Sequence, residues 1–349
     1  MLVYLRTKFI AIVLLLCIGT ISIQAQQALH LVTTENIFTN APFQSCHAAT
    51  ICSLNKGELM AAWFGGNFEG DTSVAIWTSF RNADGWTAPH KTARGMLNGK
   101  PYACWNPVLF TDAKGKLYLH YKVGANPRQW KAFYKTSTDG GRSWSDAVQL
   151  PDSLLGPIRS KPLLLSNGDI LYPSSRESID EKSWTAHFEK SDAAGIHWRT
   201  YSLPSTEYGI IQPTLLLYKN KAIQALFRSR QNMIVQSWST DEGQHWSAPE
   251  ATGLPNPNAG IDAATLSDGT QLLVYNPLKA GANWWEGRSV LKIAASTDGV
   301  NWKDVYTLEE HADGEYSYPA IIVDAKNSIH IVYTAKRSVI RYVQLKTAN

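Results

Sequence analysis

The sequence predicts an all-β fold, a six-bladed β-propeller of four-stranded antiparallel blades, on three observations. A short motif recurs along the chain, six apolar runs alternate with polar turns, and no long segment carries helical periodicity. The motif is Ser137-Thr138-Asp139-Gly140-Gly141-Arg142-Ser143-Trp144. It returns as Ser239-Thr240-Asp241-Glu242-Gly243-Gln244-His245-Trp246 and, shortened, as Ser296-Thr297-Asp298-Gly299-Val300-Asn301-Trp302. Weaker copies end at Trp86 and Trp198; in the second, Ala193 stands where the aspartate belongs and Asp192 sits beside it. The closing tryptophans are about 48 to 58 residues apart, a period that fits one four-stranded blade.

The repeat is a structural staple. Its Asp accepts backbone N–H bonds, its Gly supplies the backbone angles of a tight turn, and its Trp tucks beneath and packs between blades. The runs Glu58 to Phe64, Lys116 to Tyr121, Asp169 to Tyr172, Ala222 to Phe227, Gln271 to Tyr275 and Ser328 to Tyr333 each follow a Gly, Asn or Asp turn and read as the inner strands of six blades. The last run, Val339 to Leu345, is expected to pair with the beginning of the chain and close the ring.

The N-terminus reads as an export signal. Arg6 and Lys8 precede an apolar run from Phe9 to Ile23 that ends at Gln24-Ala25-Gln26. The run is short for a bilayer, which needs about 20 apolar residues, and no basic flank follows. The expected organisation is a signal peptide over 1–25 and one propeller domain over 26–349, exported to the periplasm or the cell exterior, with no stable membrane span. Cleavage removes Arg6 and Lys8 and so lowers the formal charge of +4 by two. The remaining charge is spread along the chain, without the basic run that would engage nucleic acid. Cys46, Cys52 and Cys104 remain; an odd count is no disulfide scaffold, though it leaves room for one bridge. No metal-binding motif and no phosphate loop before a helix is present, so no cofactor is expected.

The repeated segments resemble the Asp-boxes of sialidases, and the chain after its signal resembles bacterial sialidase-like proteins with BNR repeats. The resemblance extends to Ala62-Trp63-Phe64-Gly65-Gly66, Trp105-Asn106-Pro107, Gly156-Pro157-Ile158, Phe227-Arg228-Ser229-Arg230, Pro255-Asn256-Pro257-Asn258 and Gly314-Glu315-Tyr316-Ser317-Tyr318-Pro319. It implies a glycoside hydrolase that acts on the terminal acidic sugar of a glycan. Sialidases hold the substrate carboxylate with three arginines and attack with a tyrosine partnered by a carboxylate, an exception to the two-carboxylate pattern. Carried over residue by residue, Tyr316 resembles the nucleophile, while Arg228 and Arg288 resemble the second and third arginines. A guanidinium suits this task because its planar fork grips a carboxylate at two points.

Two positions depart from the pattern. The place of the first arginine reads Ser45-Cys46-His47, and the place of the partner carboxylate is Gln212, which cannot act as a base. Glu69 and Asp71, in the loop after Phe64-Gly65-Gly66, are candidates to protonate the leaving oxygen, with Asp262 as a further one and His47 as the nearest titratable group to the missing arginine. Trp105, Asn106, Lys161 and Arg337 are expected to face the same axial pocket and bind substrate, as are Arg176, Glu177, Asn256, Asn258, Asn276, Glu315 and Lys336. Two other functions stay open. One is a polysaccharide lyase or unrelated glycosidase on the same propeller, with His47 or Tyr318 as base. The other is a propeller that binds glycan without turnover.

Overall fold

The computed structural model describes residues 28–283 and 285–348, so the expected signal segment lies outside the described residues. Six antiparallel sheets form the six blades, and the single helical element among the described residues is the short 3-10 turn Asn55–Gly57. Blade 4 shows the plan: Ile210–Leu217, Ile223–Ser229, Met233–Ser239 and Glu250–Pro255 pair in chain order. Its first two strands are buried throughout except for Leu217, because neighbouring strands and blades enclose both faces. Blade 1 carries two additions, the strand Lys100–Tyr102 paired onto the edge of His90–Leu97 and the short strand Gly85–Trp86 paired with Ala75–Asn82.

The strand that faces the axis is the first of each blade. Ser45–Ser53 of blade 1 touches Cys104–Thr111 of blade 2 and Tyr316–Val323 of blade 6, and Asp262–Thr265 of blade 5 bridges blades 4 and 6 in the same way. The six runs read from the sequence as inner strands are therefore the second strands, one place further from the axis. They carry the strongest apolar signal because neighbours cover them on every side. The inner strands face a partly polar channel and are punctuated by prolines. Ring closure follows the expectation: Val339–Thr347 pairs with Leu29–Asn36, so the first described strand is the outer strand of blade 6.

The repeated motifs close the hairpins between third and fourth strands. In blade 2, Asp139 Oδ1 accepts from the Arg142 and Ser143 amides at 3.0 and 2.9 Å, and Ser137 Oγ accepts from the Gly141 amide at 2.8 Å. In blade 4, the Trp246 indole donates to the Gly243 carbonyl at 3.0 Å and stacks on Phe188 of blade 3 with centroids 3.9 Å apart. Trp246→Ala should cost about 3–5 kcal/mol, because it removes a buried aromatic and opens a cavity between two blades. Urea unfolding measures this; a loss below about 1 kcal/mol would show that the interface closes over the gap.

Candidate active site

One end of the axis is shaped by a repeated backbone irregularity. Four inner strands skip a step of pairing near their start: between His47 and Thr50, Trp105 and Val108, Ile211 and Thr214, and Ser317 and Ala320. At each bulge a residue other than glycine takes positive φ: Ala48 at 54°, Asn106 at 38°, Gln212 at 51° and Tyr318 at 53°. Three of these precede a proline, Pro107, Pro213 or Pro319, which has no N–H to give to the ladder. Such bulges bend a strand and re-aim a side chain, and backbone strain of this kind collects at functional sites.

The bulge separates two tyrosines. Strict alternation would put Tyr316 and Tyr318 on one face. Instead Tyr316 is buried in the cluster between blades 5 and 6, its ring stacked on His311 at 4.4 Å, while Tyr318 turns toward the axis and stays partly exposed. The tyrosine at the mouth is thus Tyr318, and the position expected for the nucleophile, Tyr316, is a packing position.

Three guanidiniums surround Tyr318. The guanidinium carbons of Arg159, Arg228 and Arg288 lie 5.4, 5.6 and 6.0 Å from its ring centroid, and the His47 ring lies 4.2 Å away. Arg228, on the second strand of blade 4, donates to the Tyr318 hydroxyl, to Gln212 Oε1 at 3.2 Å and to Asn258 Oδ1 at 2.7 Å, all neutral acceptors. Arg288, just before the third strand of blade 5, pairs with Glu315 at 2.9 Å and donates to the Asn258 carbonyl at 3.2 Å. Arg159 enters from blade 3 and donates to the Pro319 carbonyl; its Nε and Nη1 are buried without a hydrogen-bond partner. Burial works against the charges of both Arg159 and Arg288. The sequence reading missed Arg159, although it noted the Gly156-Pro157-Ile158 segment that delivers it.

A second layer of charge lies toward blade 1. Arg337 pairs with Glu315 at 2.7 Å and with Glu69, so Glu69 ties the loop of blade 1 to the loop of the adjoining blade 6. His47 Nδ1 lies 3.0 Å from Thr334 Oγ1. Burial and the charge of Arg337 hold its pKa well below the ordinary value, Glu315 pulling the other way, so the ring is neutral at pH 7.

Several expected site residues are placed elsewhere or already engaged. Asp262 is buried and accepts from Thr214 Oγ1 at 2.8 Å, from the Ile321 amide at 3.0 Å and from Lys161 Nζ. Its two oxygens are taken up by these donors inside the channel, and Lys161, bound to it, points into the far half of the axial channel. That half is a cavity lined by Ile51, Leu109, Leu163, Leu216 and Ile322, poor in groups for chemistry. Asp71 is fastened within its own turn by Asn67 and by the side chain and amide of Ser73; these bonds hold its carboxyl below the usual range, which suits a carboxylate rather than an acid. Trp105 is 6% exposed, packs between Phe64 and Trp130 and donates to the Gly124 carbonyl at 2.8 Å, leaving no free ring face for a sugar. Asn106 is buried at its bulge. Cys46, Cys52 and Cys104 are buried free thiols.

A buried polar network sets the position of Arg159. Glu189 accepts from the amides of Leu155 and Gly156 at 2.8 and 2.7 Å and lies 3.0 Å from His187 Nε2. Lys122 donates to the Pro157 carbonyl at 2.8 Å, and the Ile158 amide donates to the Pro173 carbonyl at 3.0 Å. Burial pulls the Lys122 amine down to about 7, against the attraction of Glu189. Above that pH the folded protein holds a neutral amine while the unfolded chain still binds the proton, so stability rises with pH. The slope between pH 7 and roughly 8.5 approaches about 1.4 kcal/mol per unit. Beyond it the three thiols, pushed up to about 12 by burial, reverse the trend, because they ionise first in the unfolded chain. Urea midpoints between pH 6.5 and 8.5 check the sign; a falling midpoint would contradict it.

The BNR repeat-like domain matches residues 57–331 of the chain. No curated protein sequence matches it. Among solved structures it is similar to a protein of unknown function from Dyadobacter fermentans (TM-score 0.74, 17% identity, 92% of this chain and 100% of that one). It is also similar to the NanB sialidase of Streptococcus pneumoniae (TM-score 0.70, 13% identity, 89% and 70%). A third is the sialidase of Trypanosoma rangeli (TM-score 0.69, 14% identity, 86% and 55%). At these identities the likeness is one of fold.

Proposed function

The chain belongs to the BNR repeat-like family, and from that premise we propose that it is an exported glycoside hydrolase of the sialidase superfamily that acts on a terminal acidic sugar of a glycan. One observation carries the proposal: Arg159 and Arg228 flank a partly exposed tyrosine and, among the described residues, form no ion pair with a carboxylate. Buried positive charge without a counter-charge is costly, and a ligand anion relieves it. The sugar carboxylate would accept from Arg228 and Arg159, with Arg288 held beside them by Glu315, and the Tyr318 oxygen, oriented by Arg228, would face the anomeric carbon. A tyrosine suits an anionic sugar, since a carboxylate nucleophile would be repelled by the substrate's own charge. The named sialidases of the same fold favour sialic acid as the first substrate to try. The expected signal over 1–25 would deliver the domain to the periplasm or the cell exterior, where such glycans lie.

The neutral Gln212 and the pairing of Glu69 with Arg337 favour a second reading, a propeller that binds acidic glycans without turnover. A panel of fluorogenic glycosides separates the two: a sialoside, several uronides and several neutral sugars. Release from an acidic glycoside and none from neutral ones is the expected result. Turnover of neutral sugars alone would overturn the acidic-substrate reading, and saturable binding with no release would replace the hydrolase by a binding protein.

A further inference from the structure

Hydrolysis needs a group that protonates the departing oxygen, and the carboxyls expected in that role are engaged elsewhere. Of Glu69, Asp71, Glu177, Asp262 and Glu315, Glu177 alone carries no ion pair and no hydrogen bond among the described residues. It ends the second strand of blade 3, Ile170–Glu177, at the mouth. Two residues earlier on that strand, Ser175 Oγ accepts from the Gln212 amide of blade 4 at 3.2 Å. Period two places Glu177 on the same face as Ser175, one step nearer the opening. Across the hairpin Glu177 pairs with Trp184, over whose ring lie Arg228 at 5.3 Å and Arg230 at 4.7 Å. Glu177 thus stands beside the guanidinium that holds the Tyr318 hydroxyl, next to the place where Gln212 lacks a carboxylate.

We propose that Glu177 is the general acid of the site, an assignment that rests on the hydrolase reading. Its carboxylic acid gives a proton to the glycosidic oxygen as the bond from that oxygen to the anomeric carbon breaks, the electron pair staying on the departing alcohol. In the same step the Tyr318 oxygen, as phenolate, bonds to the anomeric carbon. The carboxylate left behind then takes a proton from the water whose oxygen adds to that carbon as the bond to Tyr318 breaks and its electron pair returns to the phenolate, which restores the acid and completes hydrolysis. The groups that face Glu177 suit this role. Burial raises its pKa, Arg228, Arg128 and Arg230 offset part of the rise, and Glu181 adds to it. A carboxyl raised in this way keeps its proton closer to neutral pH.

The test compares wild type with Glu177→Gln on two glycosides of the same sugar, one with a sugar alcohol as leaving group and one with 4-nitrophenol. General acid catalysis contributes about 10²–10⁴-fold, and a good leaving group needs little of it. The expected result is a loss of that size in kcat for the sugar alcohol, less than about tenfold for the nitrophenyl glycoside, a little-changed KM, and disappearance of the basic limb of the pH profile. Equal losses with both leaving groups, or an unchanged pH profile, would overturn the assignment. A urea midpoint separates either result from misfolding. Inactivity of the wild type toward every glycoside would remove the hydrolase reading, and this role with it, before any variant is made.

Discussion

Tyr318→Phe is expected to lower kcat on an acidic glycoside by about 10³-fold or more, the scale on which removal of a group at the reacting centre acts. The substitution deletes one oxygen and keeps the ring that packs beside His47 and under three guanidiniums, so the fold should hold. Tyr316→Phe is the matched control. Its ring is buried between blades 5 and 6, so activity should stay within about twofold of wild type. Rates with the substrate that the panel selects, measured beside urea midpoints, decide the matter. A silent Tyr316→Phe with an active Tyr318→Phe would return the role to Tyr316.

Glu189→Ala is expected to be the most destabilising single change near the site, by about 3–5 kcal/mol. Glu189 has no exposed surface and accepts from two backbone amides. Its removal leaves those donors buried without an acceptor and leaves Lys122 without the nearby negative charge that favours its ammonium form. The same two amides fix the approach to Arg159, so activity should fall at temperatures where the variant is still folded. Thermal unfolding and assay at low temperature separate the two effects. A variant that loses stability while keeping full activity would show that Arg159 is held by the Pro319 carbonyl alone.

The fold was legible in the sequence to an unusual depth because the motif that staples each hairpin is local. Ser, Asp, Gly and Trp at fixed offsets satisfy one another within eight residues, so the period of blades can be counted without knowing any long-range contact. The closure of the ring was legible too, since Val339 to Leu345 was a strand left without a local partner. The depth of each run was not. Apolar continuity marks the most enclosed strand, which here is the second, whereas the inner strands are broken by Pro107, Pro213 and Pro319 and read more weakly.

Of the candidate site, the segments that carry Arg228 and Arg288 were legible, and which tyrosine and which carboxyl face the mouth was not. Arg228 and Arg288 follow from motif resemblance because each sits in a short segment of fixed sequence. Tyr318 was passed over for Tyr316 because the choice depends on a left-handed residue two positions along, and only a backbone angle reveals it. Arg159 belongs to blade 3, whose repeat is a weak copy and offers little to align, and Glu177 of the same blade was legible as a pocket residue but not in a role. Asp262 and Lys161 looked available singly and cancel each other as a pair, a fact of convergence across blades 3 and 5.

The join in blade 6 has a consequence for engineering. Leu29 pairs with Thr347, and the Ala348 amide donates to the Ala28 carbonyl at 2.9 Å, so the two ends of the described chain already meet. A linker of a few residues could connect them, and new ends could be opened in an exposed hairpin such as the Asp139–Ser143 turn, remote from Tyr318. Such a circular permutant of the described residues would keep all six blades and carry its termini on a different rim.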